Sequence, residues 1–257
     1  MWEAFTNLIT QVLTAIYGFC GDWGLAIIIL TLIVRLLIMP LMTRSTRSSA
    51  KMQVLQPKMQ ELQERYADDP ERLQKEMSKF YSENNFNPLG GCLPILLQMP
   101  IFFALFGVIR SVGDLSGGTA SFYNIVPDLT VGPGAVLASS GWAAAAVYIF
   151  LDLLFGVLTL VPMLLNSSMN SDAQQQGTAR TMGIFMAVWM VWIGWGLPSG
   201  VLLYYNTSAL WQLAQQQLVT KRVMDQAKAE AEADLANKPI EIDVVRRDRK
   251  KRPHKKG

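Results

Sequence analysis

The chain has 257 residues, 51% of them hydrophobic and 17% charged, with a net charge of +3. Of its 43 formal charges, 15 lie in residues 44–83 and 19 in residues 218–257, leaving nine for the other 177. Such segregation excludes a soluble globule, which would expose large apolar patches, and the composition excludes a disordered chain, a collagen or a disulfide scaffold.

Residues 1–22 set Trp2, Phe5, Leu8, Ile9, Val12, Leu13, Ile16 and Tyr17 at helical spacing opposite Glu3, Asn7, Thr10, Gln11 and Thr14. The pattern predicts an amphipathic helix lying in the outer membrane interface. An uncleaved signal sequence is the plainer alternative, although Met1-Trp2-Glu3 lacks a basic start and Cys20 follows Phe19 rather than a small residue. A bilayer core of about 30 Å takes roughly 20 mostly apolar residues as a helix. Five segments qualify as spans: 23–43, 93–110, 142–165, 181–197 and 198–219. The expected class is therefore an all-α polytopic membrane protein with five transmembrane helices.

Lys and Arg set the direction of the spans. Segment 1–22 has none, 44–92 has eight, the loop 111–141 has none, Arg180 closes the loop 166–180, and twelve follow residue 219. The expected topology is N-out, C-in, multi-pass.

Between the first two spans, Met52, Leu55, Met59, Leu62 and Tyr66 form one helical stripe and Leu73, Met77 and Phe80 another. Asp68-Asp69-Pro70 separates them, with Pro70 suited to a first helical turn. Residues 44–92 thus read as a cytoplasmic helical hairpin with its linker. Pairing of the two stripes explains the pattern, and a face for a partner protein is the other reading. Pro57 inside the first arm predicts a kink or a late helix start.

Arg35 lies some 11 residues into the first span, about 16 Å deep at 1.5 Å per residue. An Arg there costs about 2.5–3.5 kcal/mol even on insertion scales and usually faces a protein interior or a watered cavity. Snorkelling to the inner face is the competing reading. Thr31 lies one turn earlier on the same face and is expected to line the same space. Asp152 in the third span is a possible counter-ion for Arg35, or else an interfacial residue. Gln98 in the second span lines the cavity or bonds between helices. Met182, Met186 and Met190 form a stripe on the fourth span that suits packing or a deformable apolar slide.

Cys20 and Cys92 fall on opposite sides of the membrane and do not pair. With one histidine, His254, no metal set is expected, no cofactor is implied, and no catalytic constellation is visible, so an enzyme is not expected. The last segment, 220–257, is a basic cytoplasmic tail. Its cations Arg246, Arg247, Arg249, Lys250, Lys251, Arg252, Lys255 and Lys256 seek polyanions. Anionic lipid and ribosomal RNA both fit.

Taken together, Thr31 to Arg35 with Met39-Pro40, the hairpin, Asn87-Pro88-Leu89-Gly90-Gly91-Cys92-Leu93-Pro94 leading to Gln98-Met99-Pro100-Ile101-Phe102, and Leu197-Pro198-Ser199-Gly200-Val201-Leu202-Leu203-Tyr204-Tyr205-Asn206 resemble the YidC membrane protein insertases. The resemblance covers about residues 23–220. It implies a bacterial inner-membrane protein in minimal five-span form, with a groove open to cytoplasm and lipid and closed outside. It also implies that Arg35 attracts polar parts of a client helix, that Thr31 lines the groove above it, and that Tyr204 or Tyr205 supplies an aromatic contact. The implied partners are nascent membrane proteins and, through the tail, ribosomes; partnership with a Sec translocon and the oligomeric state stay open. Leu151-Asp152 and Pro162-Met163 depart from the family pattern in the third span. A secondary transporter using Arg35 as an anion site, and a membrane assembly scaffold, are the readings from other classes.

Overall fold

The computed structural model describes residues 2–84, 93–115, 120–167 and 173–237. Within them the chain is helical apart from its connections, where Phe122 and Val126 form an isolated antiparallel bridge.

Helix α1, Trp2–Cys20, forms where the amphipathic pattern predicts it. Leu13 is buried, while Ile9, Ile16 and Tyr17 pack on the bundle core, with Tyr17 stacked on Trp23 at 4.0 Å between ring centroids. Leu8, Trp2 and Phe19 face outward, Phe19 at 93% exposure, so only half of the expected apolar face is used inside the protein.

Helix α2, Trp23–Arg65, runs 43 residues through both Pro40 and Pro57. No late start occurs at Pro57: the first span and the first hairpin arm are one continuous helix. Each proline forfeits one backbone hydrogen bond, and the helix continues through Pro57 with Leu55 and Leu62 on either side of it buried. The chain turns at residues 66–69 and Asp69 caps α3, Pro70–Glu83, by accepting from the Arg72 backbone N–H at 3.1 Å. Leu55, Leu62, Tyr66 and Phe80 make a small separate core with Met59, Leu73, Met77 and Tyr81 against it. The two predicted stripes do pair, except that Met52 stays exposed.

Helix α4 spans Leu93–Leu115 and α5 spans Pro133–Ser167, the latter in two pieces that meet at Gly141. Gly141 has φ 78 and ψ −177, a backbone state that favours glycine. The second piece starts at the residue where the third span was expected. Helix α6, Ala173–Gly194, packs along α5 over a seam of small residues. A Cβ on Gly156 would lie 2.4 Å from Val191 Cγ2, so the glycine lets the two backbones approach. Helix α7, Ser199–Gln215, passes through a π-helical stretch, Gln216–Thr220, into α8, Lys221–Asn237. Within the segment expected as a basic tail, the described part is helical as far as Asn237. The Ala-rich segment continues the helix, as its propensity favours, and α8 lies against α2 with Ala227 and Ala231 buried. Residues 238–257, with all the tail cations singled out above, lie outside the described residues.

Among the described residues, three helices are by length and composition long and apolar enough to cross a membrane, those containing 23–65, 96–113 and 133–165; Arg180–Gly194 is a shorter apolar helix. Their common core includes Ile27, Leu30, Leu105, Ile109, Leu129, Phe155 and Leu202. One end of the bundle is capped by residues 120–132. Leu129 N–H donates to Ala120 O at 2.7 Å, Gly200 N–H to Leu129 O at 2.8 Å, Ser199 N–H to Val131 O at 2.9 Å and Gly134 N–H to Trp195 O at 3.0 Å. The hairpin of α2 and α3 extends from the other end.

Candidate functional site

Arg35 projects from the apolar half of α2, half-buried, within electrostatic reach of the Tyr204 and Tyr205 hydroxyls on α7. Tyr204 is 2% exposed, and its hydroxyl accepts a hydrogen bond from Gln98 Nε2 on α4. Tyr205 is half-buried, its ring centroid 5.6 Å from Phe102, 5.2 Å from Phe155 and 5.3 Å from Tyr204. Three helices, α2, α4 and α7, thus bring Arg35, Gln98 and both tyrosines together, and α5 adds Phe155. All four polar residues were singled out from the sequence.

The other two candidates fall elsewhere. Thr31 is 1% exposed and its hydroxyl donates to Ile27 O at 2.6 Å. One turn before Arg35, it has rotated into the packed interior and its one donor is spent on its own helix, so it lines no open space. Asp152 is also 1% exposed, but α5 turns it toward α6 and α7. A Cβ on Gly194 would sit 1.9 Å from Asp152 Oδ1 and 3.3 Å from Leu202 Cδ2. The missing side chain of Gly194 makes the space that Asp152 fills, and the carboxylate is not the counter-ion of Arg35. Among the described residues the ion pairs are Arg65–Glu61 at 3.0 Å and Lys79–Glu83 at 3.8 Å, both on the hairpin. Arg35 is in neither.

The result is a half-buried guanidinium within electrostatic reach of two phenols, one of them bonded to the Gln98 amide, in a bundle with apolar residues on its outer surface. Leu96, Met99 and Phe103 of α4 and Phe150, Leu153 and Val157 of α5 are all exposed. Half-buried and with no carboxylate partner among the described residues, this cation is available to attract an incoming acidic or polar group. The methionine stripe of α6 is graded: Met182 is exposed, Met186 intermediate, and Met190 packs on the core. Among the described residues no group of three or more His, Cys, Asp or Glu is placed to hold a metal ion.

Two polar features were missed. Asn206 Nδ2 donates to Leu151 O at 2.9 Å, tying α7 to α5 inside the bundle. It lay within a recognised motif, yet nothing in the residue string says which neighbour it meets. Asp22 caps α2 and reaches residue 123 of the loop. An Asp directly before an apolar helical run is a legible helix-start signal; its second partner is not legible.

A family model described as "60Kd inner membrane protein" matches residues 15–227. The chain is 39% identical over 207 residues to "Membrane protein insertase YidC" of Haemophilus influenzae strain PittEE, covering 80% of this chain and 35% of that protein. It is 34% identical over 220 residues to the protein of the same name from Treponema denticola, covering 82% and 36% respectively. Among solved structures it is similar to "Active YidC insertase crystal structure with the first transmembrane domain resolved", with a TM-score of 0.59, 30% identity, and coverage of 85% of this chain and 47% of that one. The chain spans about a third of the length of the curated relatives it matches.

Proposed function

This chain belongs to the 60Kd inner membrane protein family, and from that membership we propose that it is a membrane protein insertase, a non-enzymatic role. It receives a hydrophobic client segment in a hydrophilic groove open to cytoplasm and lipid, then releases it sideways into the bilayer. The orientation is N-out, C-in with five spans, which puts the 120–132 cap outside and the hairpin in the cytoplasm. Arg35 draws the acidic or polar part of the client toward mid-membrane. Gln98 and Tyr204 form the polar wall beside it, and Tyr205 with Phe102 and Phe155 offers an aromatic surface along which an apolar helix slides. Water around Arg35 shortens the lipid path, which reduces the several kcal/mol that each unsatisfied polar group of the client would cost in hydrocarbon. Burial of the client's apolar helix drives the release. Clients are nascent membrane proteins, and the basic tail engages ribosomes or anionic lipid.

The observation that carries this reading is Arg35, half-buried and facing tyrosines in place of a carboxylate. A photocrosslinker placed at Gln98 and then at Tyr205 tests it, using a ribosome-bound nascent chain with one apolar span behind an acidic segment. Adducts from both positions are expected. Adducts only from Trp192, an exposed residue of α6, would overturn the groove.

A further inference from the structure

We propose that Asp22 is the clasp that keeps the capped end of the bundle closed to ions. The inference rests on the reading that water enters the groove from the opposite end.

The carboxylate is 7% exposed, and each of its oxygens has a separate task. Oδ1 accepts from the Leu25 backbone N–H at 2.8 Å and caps α2, while Oδ2 accepts from the Tyr123 backbone N–H at 2.7 Å and holds the loop. Hydrogen bonds to an ionised acceptor are roughly twice as strong as neutral ones, and the positive end of α2 stabilises this charge. Beside the clasp, Gly24 N–H donates to Ser121 O at 3.3 Å. A Cβ on Gly24 would lie 2.3 Å from the Phe122 side chain, so the loop rests directly on the first turn of α2. The two residues at the clasp, Tyr123 and Asn124, have φ of 43 and 56. Non-glycine residues persist there when surrounding contacts hold them.

The loop's other edge is anchored differently. Residues 128–134 bond to Tyr148 on α5, to Trp195 and to the start of α7. The α2 edge is therefore the seam that opens, and Asp22 is the charged group on it. Beneath the clasp lie Ile27, Leu30 and Thr31, all buried. They separate Asp22 from Arg35 by 13 residues, or about 20 Å of helix. In this reading the clasped loop holds the helix ends together above that layer, and lifting it lets the layer part and pass ions.

Asp22→Asn separates the two tasks. The amide oxygen still caps α2, but the amide NH2 now meets the Tyr123 N–H, donor against donor. The full chain is reconstituted into vesicles holding a pH-sensitive dye, and chain-dependent proton leak is read without any client. Loss of one hydrogen bond to a charged group raises the open population about tenfold or more, so Asp22→Asn is expected to raise the leak by that factor. Gly24→Ala, which lifts the loop through Phe122 and leaves Asp22 intact, is expected to leak as well. Helical content and client insertion without a proton gradient stay at the wild-type level in both. Leak unchanged in both variants, with helical content retained, would overturn the clasp. If wild-type vesicles insert no client yet the variants still leak, the insertase reading fails and the clasp stands.

Discussion

Residues 120–132 are tied to α2, α5 and the α6–α7 turn by hydrogen bonds made largely by backbone groups, whereas the two hairpin arms at the opposite end meet through apolar side chains, with Phe80 and Tyr66 seated against Leu55 and Leu62. The difference follows from the solvent at each place. A backbone group turned into an apolar bundle has no water to fall back on, so its partner must be built in. The hairpin's apolar core is separate from that of the bundle and gains mainly by hiding apolar area from water. The capped end is thus part of the bundle's cooperative unit, while the hairpin is a satellite able to open by itself.

Truncating the satellite core gives the largest expected effect. Phe80→Ala removes a ring that is 3% exposed, at a cost of about 3–5 kcal/mol. Hydrogen exchange is expected to rise across α3 and residues 50–66 while the bundle amides keep their protection. Equal loss of protection in α5 and α6 would mean that the two ends share one core. The mirror experiment is Gly132→Leu at the cap. Its Cβ would lie 2.6 Å from Leu197 O, a backbone atom with no rotamer to escape into. A cost of about 3 kcal/mol is expected to appear as a lower thermal midpoint of the whole bundle. A midpoint unchanged from wild type would show that the cap is only draped over the helices.

The sequence exposes the two ends unequally for the same reason that they differ physically. Hairpin contacts are made by side chains at helical spacing, so Leu55, Leu62, Leu73 and Phe80 announce themselves, as does the Asp69-Pro70 start of α3. Cap contacts are made by the backbone of residues 120–134, which has no signature in residue type. Pro57 did not delay the start of the hairpin arm, because the lost hydrogen bond is local and buried neighbours lie on either side of it. For the functional residues, depth in the first span singled out Arg35, while Tyr204 and Tyr205 came only from the resemblance of the Leu197–Asn206 motif to a known family. Depth was not enough for Asp152, since a carboxylate inside a span reads as a partner for the nearest cation, and only packing shows that Gly194 has made room for it. Thr31 shares a face with Arg35 by count, but the face is wide enough that one residue is sealed and the other is not.

Between the two ends lies Arg35, and its replacement tests whether the middle of the bundle serves clients or stability. Arg35→Ala is expected to lower insertion of clients with an acidic translocated segment about tenfold, the loss of one charge-assisted contact. Clients of uncharged, strongly apolar character are expected to insert at near the wild-type rate, measured by protease protection in vesicles. An equal fall for both kinds would make Arg35 a structural residue.

The smallest expected effect concerns the bond that joins α4 to α7 beside Arg35. Tyr204→Phe keeps the buried ring and removes the hydroxyl that accepts from Gln98. The ring fills the same volume, so no cavity opens, and the loss is that of one hydrogen bond, about 1 kcal/mol. Gln98 is half-buried, and its freed amide can turn toward water if the groove is wet. In a dry bundle the same amide is stranded, at a cost of about 1–3 kcal/mol. The double variant Tyr204→Phe with Gln98→Leu separates these cases. If removing the amide restores the thermal midpoint lost in Tyr204→Phe, the space beside Arg35 is dry and the groove reading weakens. If the double variant is no more stable than the single one, water already serves Gln98, and Arg35 has the wet neighbourhood that client capture requires.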